Sequence, residues 1–428
     1  MEVKKRAYWQ NLAWKSFVTK ILITYFTRIY LIKAFVIALC LSAFIYLDYF
    51  GLRLLALNTL LATVGFYLLL GQNRIVFFWS GFFIGIIWFY WISFSFVYYE
   101  LAFLIPLVIL GIATVYGLLF WLIARVTQQP LLQTLFLVGT IYIAPFSFNW
   151  LKLDLMLIDT FIRPTWWAFG LFLGAIGLWK MPIGFWKYAA ALFIAGAFAW
   201  PQPSNIEIPP LRVALPSMHV PQSQRWDKAY QEAALEQNFH LIETAIEAGD
   251  DLIVLPESAF PMYLNLAPAV IDKLKFYSRS IAIVAGALTY DKEKGFFNSS
   301  YYFHNGELQI AHKIVLVPFG EEIPFPSVIV ELINKIFFDG AQDYQKAKRP
   351  QDFELNGFSF RSAICFEATT DALYEGHPKY MIAISNNAWF SPSIEQTLQH
   401  LLLRYYAKKY QTVIYHSANS GISGVILP

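Results

Sequence analysis

The chain has 428 residues, 57% hydrophobic, 18% aromatic and only 14% charged, with a mean hydropathy of +0.48. That balance excludes an ordinary soluble domain, in which about a quarter of residues are charged. A net charge of +3 is too small and too dispersed for a nucleic-acid surface, and two cysteines, Cys40 in an apolar run and Cys365 in a more polar half, exclude a disulfide framework.

Between Ala34 and Trp200 charges are sparse, and apolar runs predict seven membrane spans: roughly 34–50, 54–71, 75–99, 101–124, 131–147, 164–179 and 183–200. No small-residue cleavage site follows the first run, so a removable signal peptide is not expected. Lys4, Lys5, Arg6, Lys15 and Lys20 place the N-terminus on the cytoplasmic side, because basic residues are retained there. An odd number of spans then puts everything after Trp200 outside the cytoplasm. Trp and Tyr gather at membrane interfaces, which accounts for most of the aromatic density. Trp150, in Phe148-Asn149-Trp150-Leu151 at a predicted outer loop, is also placed to frame a lipid entrance.

Pro201-Gln-Pro-Ser and Pro209-Pro210 read as a linker, giving a membrane domain over 1–203 and a second domain over 204–428. Short apolar strands then alternate with helices: Leu211–Leu215, a helix over Gln224–Ala248, Asp251–Leu255, a helix over 268–279, Ile281–Gly286, Ser300–His304, Leu308–Val317, Phe360–Cys365, Tyr380–Ser385 and a helix over 394–409. The pattern predicts an α/β domain with a central mixed sheet. Glu257 follows Ile-Val-Leu-Pro, Lys313 lies in Ala311-His-Lys-Ile-Val, and Cys365 closes Ser-Ala-Ile-Cys. Strand ends are where open α/β sheets gather catalytic groups.

The chemistry of these three is complementary. A carboxylate can take the proton of a thiol as it attacks a carbonyl, and an ammonium can stabilise the resulting oxyanion, on the order of 3 kcal/mol per donor. Singly, each has an ordinary explanation, as a core thiol or a solvated surface charge. The seven histidines of this half are scattered, without the close helical spacing of a zinc site, so no metal is expected.

Leu255-Pro-Glu257-Ser, His312-Lys313 with Val317-Pro-Phe-Gly-Glu321, Ile364-Cys365-Phe-Glu367 and Ile384-Ser-Asn-Asn-Ala-Trp-Phe390, in this order, resemble the bacterial apolipoprotein N-acyltransferases of the nitrilase superfamily. Val220-Pro-Gln-Ser-Gln-Arg-Trp226 and Phe297-Asn298-Ser follow the same pattern. The resemblance implies a polytopic α-helical membrane bundle carrying an extracytoplasmic nitrilase-like αββα sandwich, in the inner membrane of a Gram-negative cell. It also implies a ping-pong reaction. Glu257 would be the general base, Lys313 the oxyanion stabiliser and Cys365 the nucleophile, supported by Glu321 and Glu367. A phospholipid, typically phosphatidylethanolamine, would give its acyl chain to Cys365, and the α-amino group of a diacylglyceryl cysteine on an apolipoprotein would receive it. No metal or cofactor is implied. Trp226, Asn298, Trp389 and Phe390 would line the pocket.

Both substrates are lipids held in the bilayer by about 0.8 kcal/mol per buried CH2, so such a thiol must work at the membrane surface. After Ser327, an apolar stripe of Val328, Ile329, Leu332, Ile333, Ile336 and Phe337 predicts an amphipathic arm over the site, and Phe260-Pro-Met-Tyr-Leu-Asn-Leu reads as a second lipid-facing loop. Some positions depart from the family pattern: Phe366 stands where Tyr is common, Ser217-Met-His219 where Gln-Gly-Asn is usual, and Ser391 where Gly follows Ala-Trp-Phe. The further strands and final membrane helix common in the family do not follow Gly424-Val-Ile-Leu, which predicts an incomplete sheet edge. Two other functions compete. A membrane-tethered amide hydrolase would use the same three residues with water as acceptor, and a transporter would need ionisable groups or repeats within the spans, which the sequence does not display.

Overall fold

The computed structural model describes residues 25–182, 184–200, 206–224, 228–324, 330 and 344–428. The described residues of Met1–Ile141 and Asp159–Ala199 form one compact unit, and those of Tyr142–Ile158 and Trp200–Pro428 a second. The stretch 142–158, which the sequence reading divides between a fifth span and an outer loop, groups with the second unit.

The first unit contains α1 (Arg28–Tyr49), α2 (Leu55–Leu69), α3 (Arg74–Phe89), α4 (Ile105–Val126), α5 (Pro130–Gly139), α6 (Trp166–Trp179) and α7 (Trp186–Ala197). Their starts are chemically marked. Asn73 accepts from the Ile75 and Val76 amides at 3.0 and 3.1 Å, Thr165 accepts from Ala168 at 3.4 Å, and prolines occupy the first turns of α4 and α5. Small residues let α3 and α4 approach closely: a Cβ on Gly81 would stand 2.5 Å from the Tyr116 carbonyl oxygen, and one on Gly85 2.9 Å from Ala113 Cα. Among the described residues three stretches, Arg28–Tyr49, Arg74–Tyr99 and Ala102–Val126, are long and apolar enough to cross a membrane, with shorter apolar helices at Leu55–Leu69, Pro130–Tyr142 and Trp166–Trp179. Large apolar side chains such as Ile29, Leu107 and Leu192 point outward, more than 60% exposed. Water would penalise that surface, whereas acyl chains solvate it.

The second unit contains two mixed sheets where the sequence pattern predicts one. In the first, β1 (Val213–Ala214), β2 (Leu252–Val254), β4 (Ala282–Asp291), β5 (Gly295–His304) and β6 (Glu307–His312) lie in that order, with β3 (Phe260–Tyr263) also on β4. The second has the order β11 (Gly424–Ile426), β10 (Val413–Asn419), β9 (Tyr380–Asn386), β8 (Phe358–Ile364), β7 (Asp352–Leu355). Strand alternation decides the layering. Leu252, Val254, Ala282, Val284 and Tyr302 face Phe360, Ile364, Ile382, Ile384 and Tyr415 in one core between the sheets. Ile283, Ala285, Tyr301 and Phe303 on the opposite face pack against Phe239 and Ile242 of α8 (Lys228–Ala248) and Leu274 of α9 (Pro268–Tyr277). Contacts join α10 (Glu395–Tyr410) to the second sheet through β10, with Leu398, Leu401 and Leu402 fully buried. The result is an αββα sandwich.

Two local expectations change. Phe260–Tyr263 is a strand paired with β4, not a loop, and Phe260 and Leu264 are fully buried because they complete the helix–sheet core. The proposed arm around 328–337 lies outside the described residues except Val330.

Candidate active site

β2, β4 and β6 run in one direction in the first sheet, as do β8, β9 and β10 in the second. Glu257, Lys313 and Cys365 each follow the carboxyl end of one of these strands, after β2, β6 and β8 respectively.

Glu257 sits where the chain leaves β2 and presses against β4. A Cβ on Gly286 would lie 2.6 Å from both Glu257 Cα and the Ser258 nitrogen, so only glycine admits this crossing, and Ser258 completes it with φ +52°. The Glu257 carboxylate is buried and accepts from Asn298 Nδ2 at 2.8 Å. The same Asn298 nitrogen reaches Glu321 Oε1 at 2.8 Å, and the Asn298 carbonyl accepts from the Lys313 amide at 3.0 Å.

Lys313 is fully buried, with its ammonium 2.7 Å from Glu321 Oε2. Among the described residues that ammonium has no aligned hydrogen-bond acceptor, which leaves donors available for a developing oxyanion. Burial alone would lower its proton affinity, but Glu321, Glu257 and the neighbouring acidic groups outweigh burial and push it up, so it is a permanent cation.

Cys365 is half-buried and opens a short 3-10 turn with φ +55°, a conformation rare outside glycine. Burial and the Glu257 charge raise the thiol well above its ordinary value, against an opposing pull from Lys313. The resting sulfur therefore keeps its proton beside a carboxylate able to remove it.

Glu367 ties two of these loops together. Its carboxylate accepts from the Ile314 and Val315 amides at 2.7 and 3.1 Å and from Ile364 at 2.8 Å, fixing the turn after Lys313 to the strand end before Cys365. Burial raises its pKa to about 7, while Lys313 and those amides act the other way.

Phe366 stacks on Phe148 at 5.8 Å and on Trp150 at 6.1 Å. Trp150 is 3% exposed and donates to Thr369 Oγ1 at 2.8 Å, so its ring packs against the turn that Cys365 opens. Trp389 and Phe390 are half-buried on the turn after β9. Trp226 lies outside the described residues. His312, beside Lys313, is committed to Ser299 at 2.8 Å and to a stack on Phe297, and burial, then the Lys294 charge, lowers its pKa.

A further group escapes a reading based on strand ends. Gln399 Nε2 donates to Cys365 Sγ at 3.7 Å, and Asn387 Nδ2 donates to Gln399 Oε1 at 2.9 Å and to Glu395 Oε2 at 2.7 Å. The i, i+4 spacing of Glu395 and Gln399 places both on one helix face and is the sequence signal that could have pointed to them.

The family model for the apolipoprotein N-acyltransferase integral membrane domain matches residues 28–200. Apolipoprotein N-acyltransferase of Wolinella succinogenes is 43% identical over 91% of this chain and 94% of its own length. That of Helicobacter pylori is 36% identical over 87% of this chain and 88% of its own, and that of Campylobacter jejuni 33% over 96% and 93%. A CN-hydrolase superfamily protein from Xanthomonas campestris aligns with a TM-score of 0.37 and 16% identity over 50% of this chain and 77% of that one. Identity at this level, sustained across both units, places the chain in the apolipoprotein N-acyltransferase family.

Proposed function

We propose that this acyltransferase moves an acyl chain from a phospholipid, through a thioester on Cys365, to the α-amino group of an S-diacylglyceryl cysteine on a lipoprotein. In the first half-reaction Glu257 takes the Cys365 proton as the sulfur attacks the ester carbonyl. Lys313 offsets the oxyanion, the C–O bond to glycerol breaks, and the leaving oxygen collects the proton from Glu257. In the second, the amine attacks the thioester carbonyl, the C–S bond breaks, and the surplus amine proton returns to the sulfur by way of Glu257. Glu321 holds the ammonium and Asn298 the base, while Glu367 fixes the loops that carry the amine and the thiol.

The observation that carries this reading is the unbroken chain Glu257–Asn298–Glu321–Lys313, with 2.8, 2.8 and 2.7 Å contacts, whose Glu257 and Lys313 charges both act on the Cys365 thiol. Phosphatidylethanolamine is the proposed donor. The proposed location is the inner membrane with the second unit outside the cytoplasm, supported by the basic N-terminus and the odd span number of the sequence reading. Trp389 and Phe390 are proposed pocket-lining residues.

The test uses the full chain in nanodiscs with acyl-labelled phosphatidylethanolamine and a diacylated lipopeptide. Label should appear in amide linkage on the peptide amine. Label released as free fatty acid, with none on the peptide, would instead establish a lipid hydrolase.

A further inference from the structure

We propose that Gln399 is a further catalytic residue, its amide N–H donating to Cys365 Sγ whenever negative charge gathers on the sulfur, with Asn387 and Glu395 as the positioning residues that hold the amide this way round. The proposal rests on the acyl-transfer reading above, because it assigns Gln399 to the sulfur of that reaction.

An amide presents either its oxygen or its nitrogen to a neighbour, and the surrounding hydrogen bonds decide which. Here Asn387 Nδ2 donates to Gln399 Oε1 at 2.9 Å, so the opposite face of that amide, its NH2, is the one 3.7 Å from the sulfur. Asn387 is oriented in turn. Its nitrogen also donates to Glu395 Oε2 at 2.7 Å, and its oxygen lies on Gly421, where even a Cβ would stand only 2.2 Å away. That oxygen has no hydrogen-bond partner among the described residues. Turning Asn387 over would bury an NH2 in the same place without an acceptor, and a buried orphan donor is rarer and more costly than an under-satisfied carbonyl. All three side chains are buried, at 1–3% exposure, so water offers little competition. Glu395 adds no charge near neutrality: burial, with a further push from Glu257, raises its pKa to about 8.

The chemistry uses this donor twice. In the first half-reaction the S–H proton moves to Glu257 while the S–C bond forms, and the sulfur carries partial charge before the carbonyl receives it. In the second, the C–S bond breaks and the electron pair returns to the sulfur before the proton does. Lys313 serves the oxygen of the tetrahedral intermediate, and Gln399 serves the sulfur.

The test is the pH profile of Cys365 alkylation by iodoacetamide in the full chain, in a Cys40→Ala parent that leaves Cys365 as the single cysteine. Gln399→Met keeps the volume and removes the donor, and its alkylation midpoint should rise by about one pH unit, roughly tenfold lower reactivity at neutral pH. Asn387→Leu leaves Gln399 in place but frees its carbonyl, and the shift should have the same sign. Gln399→Glu, close in shape, should shift it at least as far, and the thermal midpoint identifies any variant that fails to fold. Profiles of the folded variants that superimpose on the parent would overturn the proposal. Acyl uptake by the parent is read in parallel: if the parent takes up no acyl group, the acyl-transfer reading fails, while the alkylation profiles still decide whether Gln399 acts on the sulfur.

Discussion

At the scale of single residues the site depends on backbone placement as much as on side-chain identity. Gly286→Ala would push a methyl into the Glu257 backbone from 2.6 Å, so we expect about 1–3 kcal/mol of destabilisation. Activity should fall further than stability explains, and a variant with normal turnover would show that Glu257 tolerates displacement. Glu257→Gln should block acyl uptake while preserving the fold, and a normal acylation rate would remove this carboxylate from the mechanism. Glu395 supplies a pH test. Its proton is held to about pH 8 in the fold against an ordinary value of 4.5, so its contribution to stability is fully present below 4.5 and is lost as the pH rises through about 8. Glu395→Gln cannot titrate. The difference in thermal midpoint between variant and parent should therefore move in the variant's favour across that window, and a pH-independent difference would count against a shifted carboxyl.

At the scale of elements, the segment 142–158 is fastened to α10 and to the turn after Cys365. Tyr405 donates to buried Asp154 at 2.6 Å, Asn149 to the Thr369 carbonyl at 2.9 Å, and Trp150 to Thr369 at 2.8 Å. Asp154→Ala strands the Tyr405 hydroxyl and removes a carboxylate that acts on buried Lys152. We expect a loss of about 1–3 kcal/mol, read as a lower thermal midpoint. An unchanged midpoint would mean that the segment is merely laid on the domain. These links explain what the sequence could not display. Glu257, Lys313 and Cys365 were legible as candidates because each lies in or just after a strand read from the chain itself, although the strand expected over Leu308–Val317 ends at His312. Gln399 reaches the sulfur from α10 and is held by Asn387 on the turn after β9; its spacing from Glu395 puts both on one helix face, but nothing local to either segment records that they meet Cys365. The single central sheet expected from strand alternation became two, because periodicity assigns faces but not the partner each face finds.

For the whole molecule, the apolar helices of the first unit and the polar α/β chemistry of the second were both visible in composition, since burial in lipid and burial in a protein core select different residue patterns. The side of the membrane is a separate question, read from basic residues near the N-terminus. Protease added to intact spheroplasts should cleave within residues 204–428, and full protection until the membrane is opened would reverse the proposed orientation. The claim on which the chemistry depends is that Cys365 itself carries the acyl group. Intact mass of the full chain after incubation with phosphatidylethanolamine, without acceptor, tests it most directly. We expect one added acyl mass that maps to Cys365, is released by hydroxylamine and is absent from Cys365→Ala. An adduct on another residue, or transfer to a lipopeptide by Cys365→Ala, would contradict it.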